Sequence, residues 1–173
     1  MTVADFERIP EPPGGHYELH HGEPILVPPP ILEHALIRRK LMLLLHQLCT
    51  GWFVTMEFAF RPLPEYEVWV ADVVVLRMER PLMGPKKAWM SGAPELVIEI
   101  LSPSNTAQEM NDRERICFQG GCQEFWIVDS KLNTVRVSTH DGKWRTYEQK
   151  DGIPLNLFRS ACLHVAAIFD PIA

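Results

Sequence analysis

Two short apolar runs, each with a single carboxylate inside it, constrain this chain more than any other feature. Asp72 is the only charge in residues 68–76, and Glu99 is the only charge in residues 96–101. Short runs rich in Val and Ile, bounded by Pro and Gly, are typical of strands covered on both faces. A carboxylate taken out of water costs several kcal/mol unless it is paired, hydrogen-bonded or bound to a cation. We therefore expect both carboxylates to have partners.

The composition is that of an ordinary globular domain. The chain has 173 residues, of which 46% are hydrophobic and 23% are charged. We interpret residues 1–173 as a single domain with an irregular N-terminal lead over residues 1–15. A formal net charge of −5 does not by itself predict nucleic-acid binding.

The same sequence argues against a membrane protein or a zinc protein. No apolar run approaches the ~18 residues that a membrane span requires, so we expect no membrane partner. The four cysteines, at positions 49, 117, 122 and 162, lack the spacing of a zinc site. Free thiols in a reducing, cytoplasmic setting are the expectation.

Hydrophobic periodicity predicts the order of the elements. Residues 17–27 predict two strands around a turn at His21-Gly22, and residues 31–49 predict an amphipathic helix. Later elements are, in order, a strand over 52–60, the Asp72 strand, a polar loop over 77–93, the Glu99 strand, a helix from Thr106 to Gln119, a strand over 125–129, a hairpin over 135–147 and a short helix or strand over 163–169. This order predicts an α/β or α+β core with β-hairpins added at both ends.

Asp72 and Glu99 are the first candidate site. If their strands are neighbours, the two carboxylates can converge on one cation, and carboxylate oxygens suit Mg²⁺ or Mn²⁺. Such a cation activates water and stabilises charge on a phosphate. The alternative is that each acid forms an ion pair, for example with Arg77 or Arg113.

Arg113 lies in the second predicted helix, on the same face as Met110 and Cys117. If that face packs on the sheet, the guanidinium points toward the acids. It would then contact phosphate. The alternative is a structural pair with Asp72, Glu99 or Glu109, although Glu109 fits better as the partner of Thr106 in a capping box.

Two further groups of polar residues are weaker candidates. Glu33 and His34 open the first predicted helix and form a possible additional site, as a further carboxylate and a proton-transfer group. The favoured alternative is that they interact with the helix dipole on a solvated turn. Glu18 and Glu23 flank His20-His21 at no standard metal-ligand spacing, so a polar hairpin is the better interpretation.

Several of these segments together resemble one known family, the Uma-two family of restriction-endonuclease-like proteins. The similarity covers about residues 15 to 170. It rests on Tyr17-Glu18-Leu19-x-x-Gly22-Glu23, Glu33-His34, Ala71-Asp72-Val73-Val74-Val75, the block from Ala93 to Ser104, and Gly121-Cys122-x-Glu124-Phe125-Trp126-Ile127-Val128-Asp129.

The resemblance implies the PD-(D/E)XK nuclease fold, a mixed central sheet flanked by helices. It also implies that Asp72 and Glu99 bind a divalent cation, Mg²⁺ or Mn²⁺. The basic residue of the motif has moved to the following helix in this family, where Arg113 stands at the usual Lys position and Cys117 at the usual Tyr position. The Pro of the motif is replaced by Ala71.

The implied activity is hydrolysis of DNA phosphodiester bonds, with Asp72, Glu99 and Arg113 as the catalytic set. A homodimer is expected by analogy, because many nucleases of this fold pair to cut two strands. Arginine stays protonated, so it contacts phosphate but does not take a proton. The alternative is therefore a catalytically degenerate protein that keeps the scaffold as a binding or assembly module.

Overall fold

A seven-stranded mixed sheet forms the centre of the protein. The computed structural model describes residues 1–80, 89–103, 105–159 and 162–170. The strands of this sheet are β3 (Trp52–Arg61), β4 (Trp69–Arg77), β5 (Met90–Ser91), β6 (Leu96–Ile100), β7 (Glu124–Asp129), β8 (Thr134–Thr139) and β9 (Trp144–Tyr147). Their spatial order is β5-β3-β4-β6-β7-β8-β9, with parallel pairs only at β3–β5 and β6–β7.

Two helices cover the opposite faces of this sheet. Helix α2 (Leu32–Leu48) buries Ile37, Leu41 and Leu45 in one apolar cluster with alternate residues of β4, β6 and β7. Helix α3 (Ala107–Gln119) contributes to a second cluster on the other face. The residues that α3 buries are Met110, Ile116 and Cys117. Both helices are confirmed, and β4 and β6 are buried on both faces as their apolar runs indicate.

The N-terminal region forms a small unit beside the sheet. Strands β1 (His16–His20) and β2 (Glu23–Val27) pair as the expected hairpin around His21-Gly22. Its Leu19 exchanges two backbone hydrogen bonds with Val68, of 2.8 and 2.9 Å, which join the hairpin to the start of β4.

The lead over residues 1–15 is more ordered than the sequence indicates. It contains a one-turn helix, α1 (Val3–Phe6). The Thr2 hydroxyl accepts from the Asp5 N–H, and the Asp5 carboxylate accepts from the Thr2 N–H, which is a capping box. Val3 and Phe6 are buried against Leu19 and Val68, and this contact with the core orders the turn.

The C-terminal region agrees with the predicted pattern. The hairpin of β8 and β9 is confirmed and extends the sheet at one edge. The segment predicted as a helix or a strand contains both, since β11 (Cys162–His164) pairs with β10 (Gly152–Pro154) and leads into α4 (Val165–Phe169). The predicted loop over 77–93 includes β5, and residues 81–88 lie outside the described part. In the part of the chain that the structure describes, no helix is long and apolar enough to span a bilayer.

The alternation of β4 shifts by one residue at Asp72. Ala71 and Val74 both belong to the apolar cluster on the α3 face, whereas Val73 belongs to the cluster on the α2 face. A regular strand would place residues 71 and 74 on opposite faces. Asp72 therefore lies at an irregularity of β4, and its side chain belongs to neither apolar cluster.

Helix α3 begins with a capping box that we expect to matter for stability. The Glu109 N–H donates to the Thr106 hydroxyl, and the Thr106 N–H donates to the Glu109 carboxylate. Thr106→Ala should lower the free energy of unfolding by about 1 kcal/mol, because it removes the cap at this terminus. Urea denaturation measures the change. Asn111→Ala, at an exposed position of the same helix, is the control and should cause no loss; equal losses in both variants would contradict the assignment.

Candidate metal and phosphate site

Asp72 and Glu99 lie next to each other at the end of the β4–β6 ladder. The last pair of that ladder is Val73 with Ile98, so the next residues along the two strands are Asp72 and Glu99. The Ile100 N–H donates to Asp72 Oδ2 at 2.9 Å, which holds the Asp72 side chain against β6. The two acidic strands are therefore neighbours, which is the condition for their carboxylates to converge.

Helix α2 supplies two partners of Asp72. His34 Nε2 lies 2.7 Å from Asp72 Oδ1, and Arg38 Nη1 lies 3.6 Å from the same oxygen. His34 and Arg38 are four residues apart and therefore share one helical face. The side chain of Asp72 is only 13% exposed, so these contacts replace most of its hydration.

Strand β3 is distorted opposite Asp72. The β3–β4 ladder pairs Met56 with Val73 and Phe58 with Ala71 but omits the intervening pair of Glu57 and Asp72. Glu57 has a φ of 52°, a left-handed conformation that costs a non-glycine residue about 1–3 kcal/mol. Its carboxylate binds Arg38 Nη2 at 2.9 Å. Local strain of this kind is concentrated at functional sites.

Glu99 is a buried acid whose charge is only partly compensated. Arg113 Nη1 lies 3.3 Å from Glu99 Oε2, and the Glu99 side chain is 7% exposed. Burial raises the pKa of Glu99 well above its ordinary value, although the charge of Arg113 opposes the shift. The negative charges of Asp72 and Glu18 raise this pKa further.

Glu18, from β1, is a third buried acid at the site. Arg113 Nη2 lies 2.5 Å from Glu18 Oε2, and the Val70 N–H donates to Glu18 Oε1 at 3.0 Å. Burial opposes ionisation of Glu18. The Arg113 charge, the nearby His16 ring and a hydrogen bond with His20 outweigh burial and hold the pKa of Glu18 well below its usual range.

Arg113 connects two of the acids. Its guanidinium contacts Glu18 and Glu99 and lies over the Trp69 ring, with Cζ 5.2 Å from the ring centroid. Burial opposes its charge, but Glu18 and Glu99 raise the pKa of Arg113 above its ordinary value. Arg113 is therefore a permanent cation at this site and does not act as a proton acceptor.

The carboxylates withdrawn from water at the site outnumber the guanidiniums. Three such carboxylates (Glu18, Asp72 and Glu99) meet two guanidiniums (Arg38 and Arg113), and three negative charges minus two positive charges leave −1, whereas Glu57 is 55% exposed and solvated. No cluster of three or more His, Cys, Asp or Glu side chains among the described residues is arranged to hold a metal ion. Asp72 and Glu99 remain the two carboxylates that the sequence predicts as cation ligands, and oxygen donors of this kind suit Mg²⁺ or Mn²⁺.

The structure brings the three main sequence-predicted site residues together. Asp72, Glu99 and Arg113 are brought together, and the face of α3 that carries Arg113 packs on the sheet as expected. Arg113 pairs with Glu99 and Glu18, while Glu109 forms the capping box.

The structure separates the two residues that open α2. His34 contacts Asp72 and so belongs to the site, contrary to the interpretation that we favoured for it. Glu33 is exposed and lines a cavity with Lys40 and Asp170. Helix geometry explains the difference, since adjacent residues of a helix point about 100° apart.

Sequence reasoning missed Glu18, Arg38 and Glu57. Glu18 does lie in the predicted hairpin, but it is a buried acid at the site and its residue exposure is only 2%. The resemblance included Glu18 in one of its motifs, and Arg38 follows His34 by one helical turn, so both had a signal in the sequence. The left-handed backbone of Glu57 had none.

Comparison with known proteins gives the family. A family model named Uma2 and described as "Putative restriction endonuclease" matches residues 3–165. The chain belongs to the Uma2 family. The resemblance derived from the sequence motifs is thereby confirmed over nearly the whole chain. No curated protein matches the sequence.

A solved structure shares the fold of this Uma2 protein. It is described as a "putative nuclease belonging to DUF820" from Anabaena variabilis, and it is 20% identical in sequence. The match has a TM-score of 0.83 and covers 98% of this chain and 97% of the other. The predicted fold class is confirmed: a restriction-endonuclease-like core in which helices flank a mixed central sheet.

Two buried glutamates of the site, Glu99 and Glu18, should affect the free energy of unfolding in opposite directions. Unfolded, each has an ordinary pKa of 4.5. Because the folded pKa of Glu99 is raised, the folded state loses stability as pH rises above 4.5 toward that folded pKa. Glu99→Gln should therefore raise the free energy of unfolding at pH 8, and the gain should vanish below pH 4.5. Urea titrations across this range measure it.

Glu18→Gln should have the opposite effect on the free energy of unfolding. The folded pKa of Glu18 is depressed, so its contribution is present above pH 4.5 and is lost as pH falls toward the folded pKa. Removing one partner of a buried ion pair should lower the free energy of unfolding by about 3 kcal/mol at pH 7. Destabilisation by both variants at pH 8 would contradict the raised pKa of Glu99.

Proposed function

We propose that this Uma2 protein is a Mg²⁺-dependent endonuclease that hydrolyses DNA phosphodiester bonds at Asp72 and Glu99. The observation that carries the proposal is the pair of adjacent carboxylates of Asp72 and Glu99, only 13% and 7% exposed, at a site where the withdrawn carboxylates outnumber the guanidiniums. Buried charges without compensation are unstable, and a divalent cation supplies the compensation that two guanidiniums leave incomplete.

Asp72 and Glu99 would hold the cation, with Mn²⁺ as a substitute for Mg²⁺. Bound there, the cation would supply Lewis-acid stabilisation of phosphoryl charge and lower the pKa of water. His34 and the Ile100 N–H fix the orientation of Asp72, which keeps its carboxylate in one place beside Glu99. Arg38 reduces the repulsion between Asp72 and the other acids.

Arg113 would stabilise negative charge on the phosphoryl oxygens. Its guanidinium is close to Glu99, and its permanent charge favours a phosphate in which negative charge increases during hydrolysis. It does not take a proton from water, because its pKa is raised by its acidic neighbours. The proton acceptor of this reaction is therefore another group.

The same proposal includes the wider setting of the protein. Residues 1–173 act as one endonuclease-like domain, DNA is the partner, and the active form is a homodimer, as fold-level analogy suggests. The location is cytoplasmic. The described cysteines, Cys49, Cys117, Cys122 and Cys162, are all free, which suits a reducing compartment.

One observation favours a second function, a catalytically degenerate module that binds or assembles without cleavage. Arg113 already contacts Glu99, and His34 and Arg38 already contact Asp72, so both acids have protein partners. A bidentate pair of Arg113 with both Asp72 and Glu99 would support this alternative more strongly. The contacts of Arg113 are instead to Glu99 and Glu18.

DNA cleavage tests the proposed function directly. We expect supercoiled plasmid to be nicked or linearised with Mg²⁺ or Mn²⁺ and to stay intact with EDTA. Asp72→Ala should reduce the rate at least about 100-fold, because it removes half of the cation site. Asp129→Asn, at the end of the neighbouring strand β7, is the control and should leave the rate unchanged. Cleavage that survives Asp72→Ala would refute the assignment.

Calorimetry separates the two functions. The endonuclease should bind Mn²⁺, and binding should disappear in Asp72→Ala because one of the two carboxylates is lost. The degenerate module should bind no divalent cation in either form. Because Lys is the usual residue at position 113 in the resembled motif, an inactive wild type that gains cleavage as Arg113→Lys would establish the degenerate alternative.

A further inference from the structure

Glu18 reaches the site from outside the central sheet. The β1–β2 hairpin is a separate two-stranded sheet, joined to β4 through Leu19 and Val68. This junction places Glu18 beside the Val70 N–H, which donates to Glu18 Oε1 at 3.0 Å. His20, two residues further along the same face of β1, lies 2.6 Å from Glu18 Oε2. Two independent contacts therefore fix the Glu18 carboxylate.

The Glu18 carboxylate is the closest acidic partner of Arg113. Arg113 Nη2 is 2.5 Å from Glu18, whereas Arg113 Nη1 is 3.3 Å from Glu99. The Nε atom of Arg113 is buried and has no hydrogen-bond partner among the described residues. The guanidinium is thus drawn toward Glu18 and makes a longer contact with Glu99.

The Trp69 ring packs against the guanidinium of Arg113. This ring lies under the guanidinium at 5.2 Å, and the His20 ring packs against it with centroids 5.4 Å apart. The Trp69 indole N–H donates to Glu67 at 2.9 Å, which fixes the ring plane. The position of Arg113 is therefore set by an ion pair with Glu18 and a cation–π contact with Trp69.

We propose that Glu18 is a positioning residue that holds Arg113 away from a full ion pair with Glu99. The inference rests on the proposed function, because its consequence is that the Glu99 carboxylate stays available to the cation. Without Glu18, the guanidinium would move onto Glu99 and form the bidentate pair that arginine favours with carboxylates. Arg113 would then compete with the cation for Glu99.

Metal-free crystal structures of the wild type and Glu18→Gln test the positioning step by itself. We expect Arg113 in Glu18→Gln to approach Glu99 more closely than 3.3 Å and to bind it through two nitrogens. Glu23→Gln is the control, because Glu23 is an exposed residue of the same hairpin. An unchanged Arg113 in Glu18→Gln would overturn the inference, whether or not the protein binds metal.

Calorimetry with Mn²⁺ tests the consequence. Glu18→Gln should raise the Kd for Mn²⁺ at least tenfold in the wild-type background but no more than about threefold in an Arg113→Gln background, because the competing guanidinium is then absent. An equal penalty in both backgrounds would mean that Glu18 acts only as a distant negative charge, which would overturn the positioning role.

The outcomes distinguish this inference from the proposed function. A wild type that binds no Mn²⁺ would refute the cation site, while the metal-free structures would still decide what Glu18 does to Arg113. If Glu18→Gln does not fold, Glu18→Asp takes its place, since it keeps the charge but shortens the side chain by one methylene. Arg113 should then shift toward Glu99, and an unshifted Arg113 would overturn the inference.

Discussion

The compensation of buried negative charge by two arginines is the constraint on which this site depends. Glu18, Asp72 and Glu99 are withdrawn from water, and each is costly unless a partner replaces its hydration. Arg38 and Arg113 approach these acids from α2 and α3, which lie on opposite faces of the sheet. Apolar packing of both helices and the docking of the N-terminal hairpin through Leu19 and Val68 bring these charged groups together.

The fold could be predicted from sequence because its signals are local. The apolar runs around Asp72 and Glu99 predict buried strands, and the Thr106 capping box marks the start of α3. Turns at His21-Gly22 and Asp141-Gly142 divide the terminal hairpins. Each signal arises from a few consecutive residues, so it can be interpreted without knowledge of the tertiary structure. The one-turn helix α1 was missed because contacts with the distant Leu19 and Val68 stabilise it.

The site could be predicted only in part because its contacts are non-local. Asp72 and Glu99 are unusual within their own strands, so the sequence alone identifies them. Glu18 is unremarkable within a polar hairpin, and its burial becomes evident only when Leu19 docks on Val68. His34 needs the packing of α2 on the sheet to reach Asp72, and Glu57 needs its left-handed backbone to meet Arg38.

A crystal structure soaked in Mn²⁺ tests the central claim most directly, because anomalous scattering locates the ion without reference to activity. We expect an anomalous peak between the carboxylates of Asp72 and Glu99, with Arg113 still bound to Glu18. A structure without an ion there, with Arg113 bound to both Asp72 and Glu99, would contradict the account and identify the protein as the degenerate form.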